Sequence, residues 1–265
     1  MVVTTSAILL RRIEFGEADL VVTLFTPDQG KVSAVAKSAK KSVRRFPGIL
    51  EPFSRIEAVL SVGKRKGMPI LQEASLEEPF FRIRENMVKT AYASYWMEII
   101  YLWMAENAPQ AELYHLTHQV LSRLNQGDTP VEVLSILFQM RFLSLAGFRP
   151  DLDHCHACKT AIDQIPSSRV ISAPAKGGVA CPDCSGPIDS VLSAISKGTL
   201  KQLAWINANG VEQAVRIRFT PAATAEGLTF LEAFVPFHIG RLPKSLGVLR
   251  DVRAAMANRI SHDRT

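Results

Sequence analysis

No apolar run in this 265-residue chain is long. The longest, residues 97–105, is broken by Glu98 and falls far short of the roughly 20 residues that a membrane-spanning helix needs. The N-terminus shows no basic segment followed by an apolar stretch, so no secretory signal is expected and the protein reads as cytoplasmic. Catalytic motifs are missing as well. There is no GxxxxGK[ST] phosphate loop, no HExxH pair and no evident carboxylate cluster for nuclease metals, so a non-enzyme is expected. Aromatic residues are scarce at the front: residues 1–79 contain no Tyr or Trp, and only Phe15, Phe25, Phe46 and Phe53 are present to stack on a planar ligand. Cysteine is limited to four residues, and in a reducing compartment these are not expected to form structural disulfides.

What the chain does have is positive charge in one place. Residues 31–66 hold ten basic residues against two acidic ones, Glu51 and Glu57, while the whole chain carries only +6. A field this localised is the footprint expected of a surface that holds a phosphate backbone. The alternative is a solvated basic loop.

The setting of that charge reads as a small barrel. Short alternating segments rich in Val, Ile, Leu and Thr run over 5–12, 19–26, 31–36, 54–62 and 69–76, and five strands is the OB-fold count. Thr26-Pro-Asp-Gln-Gly30 places Pro, Asp and Gly as a tight hairpin turn wants them. OB-folds bind oligonucleotides across strands 2 and 3 and through the loops after strands 1 and 4. Here the loop after strand 1 carries Glu14, Glu17 and Asp19 and is expected to repel phosphate, whereas the loop after strand 4 is basic. The contact surface is therefore assigned to Lys37, Lys40, Lys41, Arg44 and Arg45, with Lys64, Arg65 and Lys66. Phe46, inside the basic loop, is expected to bury beside Pro47 and anchor it. With so little to stack on, phosphate contacts should dominate, which suits single strands and duplex alike.

From residue 80 the period becomes helical. Val88, Ala91, Tyr92, Tyr95, Ile99 and Leu102 predict one long helix ending near Asn107, with its aromatics in the core. Leu113, Leu116, Val120 and Leu124 predict a second, closed by Gly127. A third starts at Asp128-Thr129 with Pro130 as its first helical residue and carries Val133, Leu137, Met140 and Leu143. Three helices with short links are expected to pack together. Further on, Val191, Ile195, Leu200, Leu203 and Ile206 suggest a helical hairpin broken near Gly198. Leu228, Leu231, Val235 and Ile239 suggest a helix kinked or split at Pro236, and the final residues read as a frayed or partly helical tail.

The sharpest spacing is Cys155-His-Ala-Cys158 and Cys181-Pro-Asp-Cys184, two CxxC knuckles separated by 22 residues. Each knuckle aims two sulfurs at one point, and a pair of them completes a closed tetrahedral zinc site. One structural zinc is expected, folding the intervening loop, which has little hydrophobic content. A thioredoxin-like redox pair is the competitor, but neither knuckle lies in a βαβ context. His154 and His156 flank the first knuckle and are expected at the surface.

The stretch from Phe142-Leu-Ser-Leu-Ala-Gly-Phe-Arg-Pro to Cys158, followed by Gly177-Gly178-Val-Ala-Cys181, resembles the RecO family of bacterial recombination mediators. Ala7-Ile-Leu-Leu-Arg-Arg, the segment from Glu17 to Lys31 and Phe46-Pro-Gly48 are similar to that family's opening, and Gly240-Arg-Leu-Pro-Lys-Ser-Leu246 to its closing motif. The resemblance implies a multi-domain α+β protein: an OB-fold over 1–79, a helical domain in two parts (80–147 and 189–249), an inserted zinc module over 148–188 and a C-terminal tail over 250–265. It also implies an ATP-independent, nucleoid-associated protein that binds single- and double-stranded DNA, anneals complementary strands and helps load RecA onto strands coated by single-strand-binding protein. RecR is a further implied partner. Docking the acidic tail of single-strand-binding protein would need an apolar pocket rimmed by a cation, and Arg141, among Leu137, Met140 and Phe142, is the candidate. Its alternative is a surface arginine packed along its stem. A zinc-ribbon transcription or RNA-binding factor would share the charge and the cysteines.

Overall fold

The computed structural model describes residues 2–42, 45–61, 63, 67–185 and 193–262. Arg44, Lys64, Arg65 and Lys66, assigned above to the contact surface, lie outside them.

Five strands close into an OB-fold barrel: β1 (Val2–Phe15), β2 (Asp19–Thr26), β3 (Gly30–Ala36), β4 (Arg55–Ser61) and β5 (Ile70–Glu78), in the order β1-β2-β3-β5-β4. The first strand serves two neighbours. It pairs with β4 from Val2 to Ile8 and with β2 from Ile8 to Phe15, and a register shift between Leu9 and Arg11 bends it between the two. It therefore overruns both ends of the expected 5–12. Val2, Ile13 and Phe15 are exposed, so ladder pairing rather than burial carries the strand there. Ala7, Leu9, Val22, Leu24, Ile56, Leu60 and Leu71 fill the interior. At the hairpin between β2 and β3, Thr26 Oγ1 accepts from Gln29 N at 3.1 Å. Gly30 sits at φ +70°, and a Cβ there would lie 1.9 Å from Ala108 O, so only glycine fits.

Helices α1 (Phe81–Arg84), α2 (Met87–Trp103) and α3 (Ala111–Gln126) belong to the same compact unit as the barrel, Met1–Gln126 with Gly247–Thr265. Asn86 caps α2 by accepting from Lys89 N at 3.0 Å. Tyr92, Tyr95 and Trp96 are fully buried. Two cations of the basic stretch tie helices to barrel instead of facing solvent. Lys31 Nζ donates to Tyr101 O at 3.0 Å and pairs with Glu106 at 3.7 Å. Arg55 pairs with Glu77 at 2.8 Å and with Glu78, which His118 Nε2 also meets at 2.7 Å.

The second unit, Gly127–Leu246, contains α4 (Val131–Leu145), β6 (Asp151–Cys155), β7 (Arg169–Ala173), β8 (Gly178–Ala180), β9 (Ala194–Ser196), α5 (Lys197–Ala208), α6 (Val211–Ala214) and α7 (Pro221–Ile239). The four strands form one sheet, β6-β8-β7-β9. The helices divide differently from the expected three-helix group. The boundary falls at Gly127, and α4, which buries residues on nearly every side, packs with α5 and α7. Gly227 of α7 makes room for this, because a Cβ there would press on Ile136 Cδ1 at 3.2 Å. Pro130 is the N-cap of α4, so the helix starts at Val131, one residue later than expected.

Ile195 lies in β9 rather than in a helix, and Ser196 caps α5 by accepting from Thr199 N at 3.2 Å. Pro236 falls in the last turn of α7, where its missing N–H costs one hydrogen bond and the helix continues to Ile239. The described part of the tail is helical. Helix α8 (Lys244–His262) occupies it, with Leu249 buried and the Arg253 guanidinium 5.9 Å from the Tyr92 ring centre.

Glu226, on α7, joins the sheet to the helices of this unit. It accepts from Ser196 N at 3.0 Å and Thr199 Oγ1 at 2.6 Å, and pairs with Arg169 of β7 at 2.7 Å. Burial raises its pKa, but the Thr199, Ser196 and Arg169 donors outweigh that and hold it at about 2, below the usual 4.5. A depressed folded-state pKa stabilises fully above the unfolded value and is lost as pH falls toward the folded one. Glu226→Gln should therefore cost about 1.5–3 kcal/mol at pH 7. In chemical denaturation the gap between variant and parent should shrink as pH drops from 4.5 toward 2; a gap independent of pH over that range would show that the carboxylate charge does not hold this joint.

Candidate metal centre and nucleic-acid surface

Strands β6 and β8 run parallel, with Cys155 opposite Val179. Cys155 ends β6 and Cys181 follows β8 directly, so the two knuckles leave the sheet at the same end. Gly178 lets the strands approach, since a Cβ there would lie 2.4 Å from Asp151 O. Each knuckle turns back at once: Lys159 N donates to Cys155 O at 3.0 Å and Cys184 N to Cys181 O at 3.1 Å.

The four sulfurs lie within 4.8 Å of one another, and Cys158 and Cys181 are 3.9 Å apart. Four thiolates at ~2.3 Å from one tetrahedral ion stand about 3.8 Å apart, so the residues fit a metal ion and are compatible with a structural zinc. Among the described residues the cluster is Cys155, Cys158, Cys181 and Cys184, without His154 or His156. The loop between the knuckles is better built than its composition suggested, because Ile162, Ile165, Val170 and Val179 are buried.

The thiols are not equivalent. Burial raises Cys155, but the amides of Cys181, Cys158 and Ala157 outweigh it and bring it down to about 6. The Thr160 hydroxyl and amide lower Cys158. Burial raises Cys181, and the neighbouring sulfurs of Cys181 and Cys158 push Cys184 up to about 12. A cluster that ionises only in part by itself is one that a divalent cation completes by displacing the remaining protons.

The basic loop follows β3. Ser38 takes a left-handed turn at φ 54°, and its amide donates to Asp19 Oδ1 at 2.7 Å. Phe46 is buried at the barrel, as expected of an anchor, and carries the Arg45 guanidinium 5.2 Å from its ring centre. Arg45 also donates to Lys37 O at 2.8 Å. Lys37 and Lys41 are exposed and, among the described residues, have no ion-pair partner. Lys40 differs. Its Nζ lies 2.7 Å from Glu14 Oε2, and that hydrogen bond lowers the Glu14 pKa.

Glu14 thus belongs to β1 and holds one of the assigned cations, a role that its loop-like sequence did not reveal. Arg12, also unforeseen, pairs with Glu51 at 2.8 Å. Both pairs rim a cavity of about 460 Å³ beside Phe46 and Leu50. The only sequence signal for either was an acidic residue near a basic run.

Arg141 is partly buried on α4. Its Nε and Nη2 have no hydrogen-bond partner, and burial lowers its pKa. Leu137, Met140 and Phe142, the apolar residues named beside it, are buried in the core and offer no exposed wall. A helix buried on most sides leaves its apolar residues no free face. Among the described residues, no helix is long and apolar enough to cross a membrane.

Residues 1–80 match the family model described as Recombination protein O N terminal, and residues 84–247 the one described as Recombination protein O C terminal. The chain is 43% identical over 254 residues to the DNA repair protein RecO of Desulfosudis oleivorans, covering 94% of this chain and 98% of that one. It is 42% identical over 257 residues to the DNA repair protein RecO of Desulfatibacillum aliphaticivorans, covering 95% and 97%. With that of Syntrophus aciditrophicus it shares 31% identity over 250 residues, 94% and 95% of the two chains. Barrel, cysteine cluster and near-complete alignment agree: the chain belongs to the RecO family of DNA repair proteins.

Proposed function

We propose that the protein is a recombination mediator that holds DNA by its phosphates, anneals complementary strands without nucleotide hydrolysis, and helps load RecA onto strands coated by single-strand-binding protein. The observation that carries this reading is the loop of exposed Lys37, Lys41 and Arg45, fixed to an OB-fold barrel by Phe46. Contacts to phosphate neutralise without reading sequence, so two unrelated strands are bound equally well, as annealing requires. RecR is a proposed partner on family grounds. Docking of the acidic tail of single-strand-binding protein on the second unit is likewise proposed on family grounds, with Arg141, whose Nε and Nη2 lack a hydrogen-bond partner, as the cation that meets its carboxylates, and with the apolar wall supplied by residues other than the buried Leu137, Met140 and Phe142. For the cysteine cluster we propose one structural zinc held by Cys155, Cys158, Cys181 and Cys184; it supplies a cross-link and no reaction step.

Changing Lys37, Lys41 and Arg45 together to Ala should flatten the slope of log K against log salt by at most about 3 units on duplex and about 2 on single strand. Annealing should slow with it, equally for unrelated sequences. Glu14→Gln should act in the opposite sense: Lys40 is released to a phosphate, and the slope on duplex steepens by up to about 0.9. Unchanged slopes in folded variants would remove the loop from the DNA surface.

Replacing Cys155 and Cys158 by Ser should abolish zinc binding and the cooperative melting of the second unit, since such sites contribute roughly 10–16 kcal/mol in peptides. A double variant that keeps one zinc and its melting temperature would remove the metal. Arg141→Glu should weaken a fluorescent tail peptide while leaving DNA affinity unchanged; equal peptide affinity would free Arg141 of that role.

A further inference from the structure

The barrel offers little for bases to stack on, yet a tryptophan stands in the open on the second unit. Trp205, in the last turn of α5, is 41% exposed. Trp96, by comparison, is fully buried. Trp205 lines an open recess of about 500 Å³ with Asn209, Gln213, Arg216 and Ile217. The recess is held open by the chain itself. Both the amide and the side chain of Asn209 donate to Trp205 O, at 3.2 and 2.8 Å, which ends α5 and turns the chain into α6. Arg216 then follows α6, its amide donating to Gln213 O at 3.0 Å.

The chemistry of this recess is that of a nucleotide subsite. An indole face stacks on any base, the amides of Asn209 and Gln213 can both donate to and accept from a base edge, and Arg216 is an exposed cation lining the same recess. Arg218, also exposed, follows two residues further on, whereas Lys201 of α5 is paired with Asp163 at 2.8 Å. We propose that Trp205 is a base-stacking platform for single-stranded nucleic acid, with Arg216 holding the adjoining phosphate. The inference rests on the reading that the protein binds DNA, but on a different unit from the basic loop and through bases instead of phosphates. Duplex is excluded, because its bases are already stacked and paired. The protein thus has one surface indifferent to strandedness and a second that selects unpaired strands.

The test uses the full chain, oligo-dT, an abasic oligonucleotide of the same length and a duplex. Oligo-dT should quench the red-shifted emission of an exposed tryptophan, and Trp205→Phe should lose that quenching while keeping most of the affinity. Trp205→Ala should weaken oligo-dT binding about 5- to 150-fold, the range for one stacked base. It should leave the abasic strand and the duplex unchanged. Arg216→Gln should flatten the single-strand salt slope by about 0.7. Absence of quenching, or an equal loss on oligo-dT, abasic strand and duplex, would overturn the proposal. Repeating the quenching in the Lys37, Lys41 and Arg45 triple variant separates the two readings. Quenching retained at high protein concentration while the salt slope fails to change in that variant would sink the basic loop and leave Trp205 standing. A flattened slope without quenching would do the reverse.

Discussion

The double pairing of β1, with β4 over its first half and β2 over its second, closes the barrel and fixes what lies beside what. Through it Glu14 stands opposite Leu20, and Leu20 in turn opposite Ala36, so the end of β1 is two strands away from the start of the basic loop. Adjacent strands lie about 4.8 Å apart, which puts Glu14 within reach of a lysine a few residues past Ala36. The Lys40 to Glu14 pair is a consequence of register. So is the cavity rimmed by that pair and by Arg12 with Glu51. A slip of one residue in β1 would turn its apolar set outward and dissolve both.

Net charge and available charge are different quantities in this barrel. Lys31 and Arg55 contribute to the field at a distance, but each is held between barrel and helices by carboxylates and a carbonyl and cannot swing out to a phosphate. Lys40 is in between: its pair with the fully exposed Glu14 is screened by solvent, so a phosphate can displace Glu14 at little cost. Among the described residues, the cations that remain open are those on a loop that Ala39, Phe46 and Leu50 anchor in the barrel core.

Much of this was legible in the sequence, for identifiable reasons. Two CxxC knuckles announce a four-sulfur cluster because the spacing is itself the geometry. Five alternating segments announce a five-stranded barrel because burial on one face imposes a period of two. What was not legible depends on pairing at long range. Ile195 has the same hydrophobic spacing whether it belongs to a helix or, as here, to the edge strand β9. The tail from residue 250 is polar enough to look frayed, and the buried Leu249 and the Arg253 guanidinium over Tyr92 show that its described part has something to pack against. The grouping of α4 with α5 and α7 is equally invisible, since short links favour neighbours in sequence while the apolar circumference of α4 demands cover from further away.

The parallel pairing of β6 with β8 also sets how this module can be assembled. Parallel strands cannot be joined by a hairpin, so the chain between Cys155 and Cys181 must leave, build β7 and return before the two knuckles meet. Closing such a loop costs entropy before any contact rewards it, and contacts between distant parts of a chain form slowly. A cation caught first by one knuckle and then by the other would shorten that search, because each additional thiolate confines the loop whether or not the sheet has formed. Metal supply during synthesis would then govern how quickly, as well as how firmly, the second unit reaches its folded state.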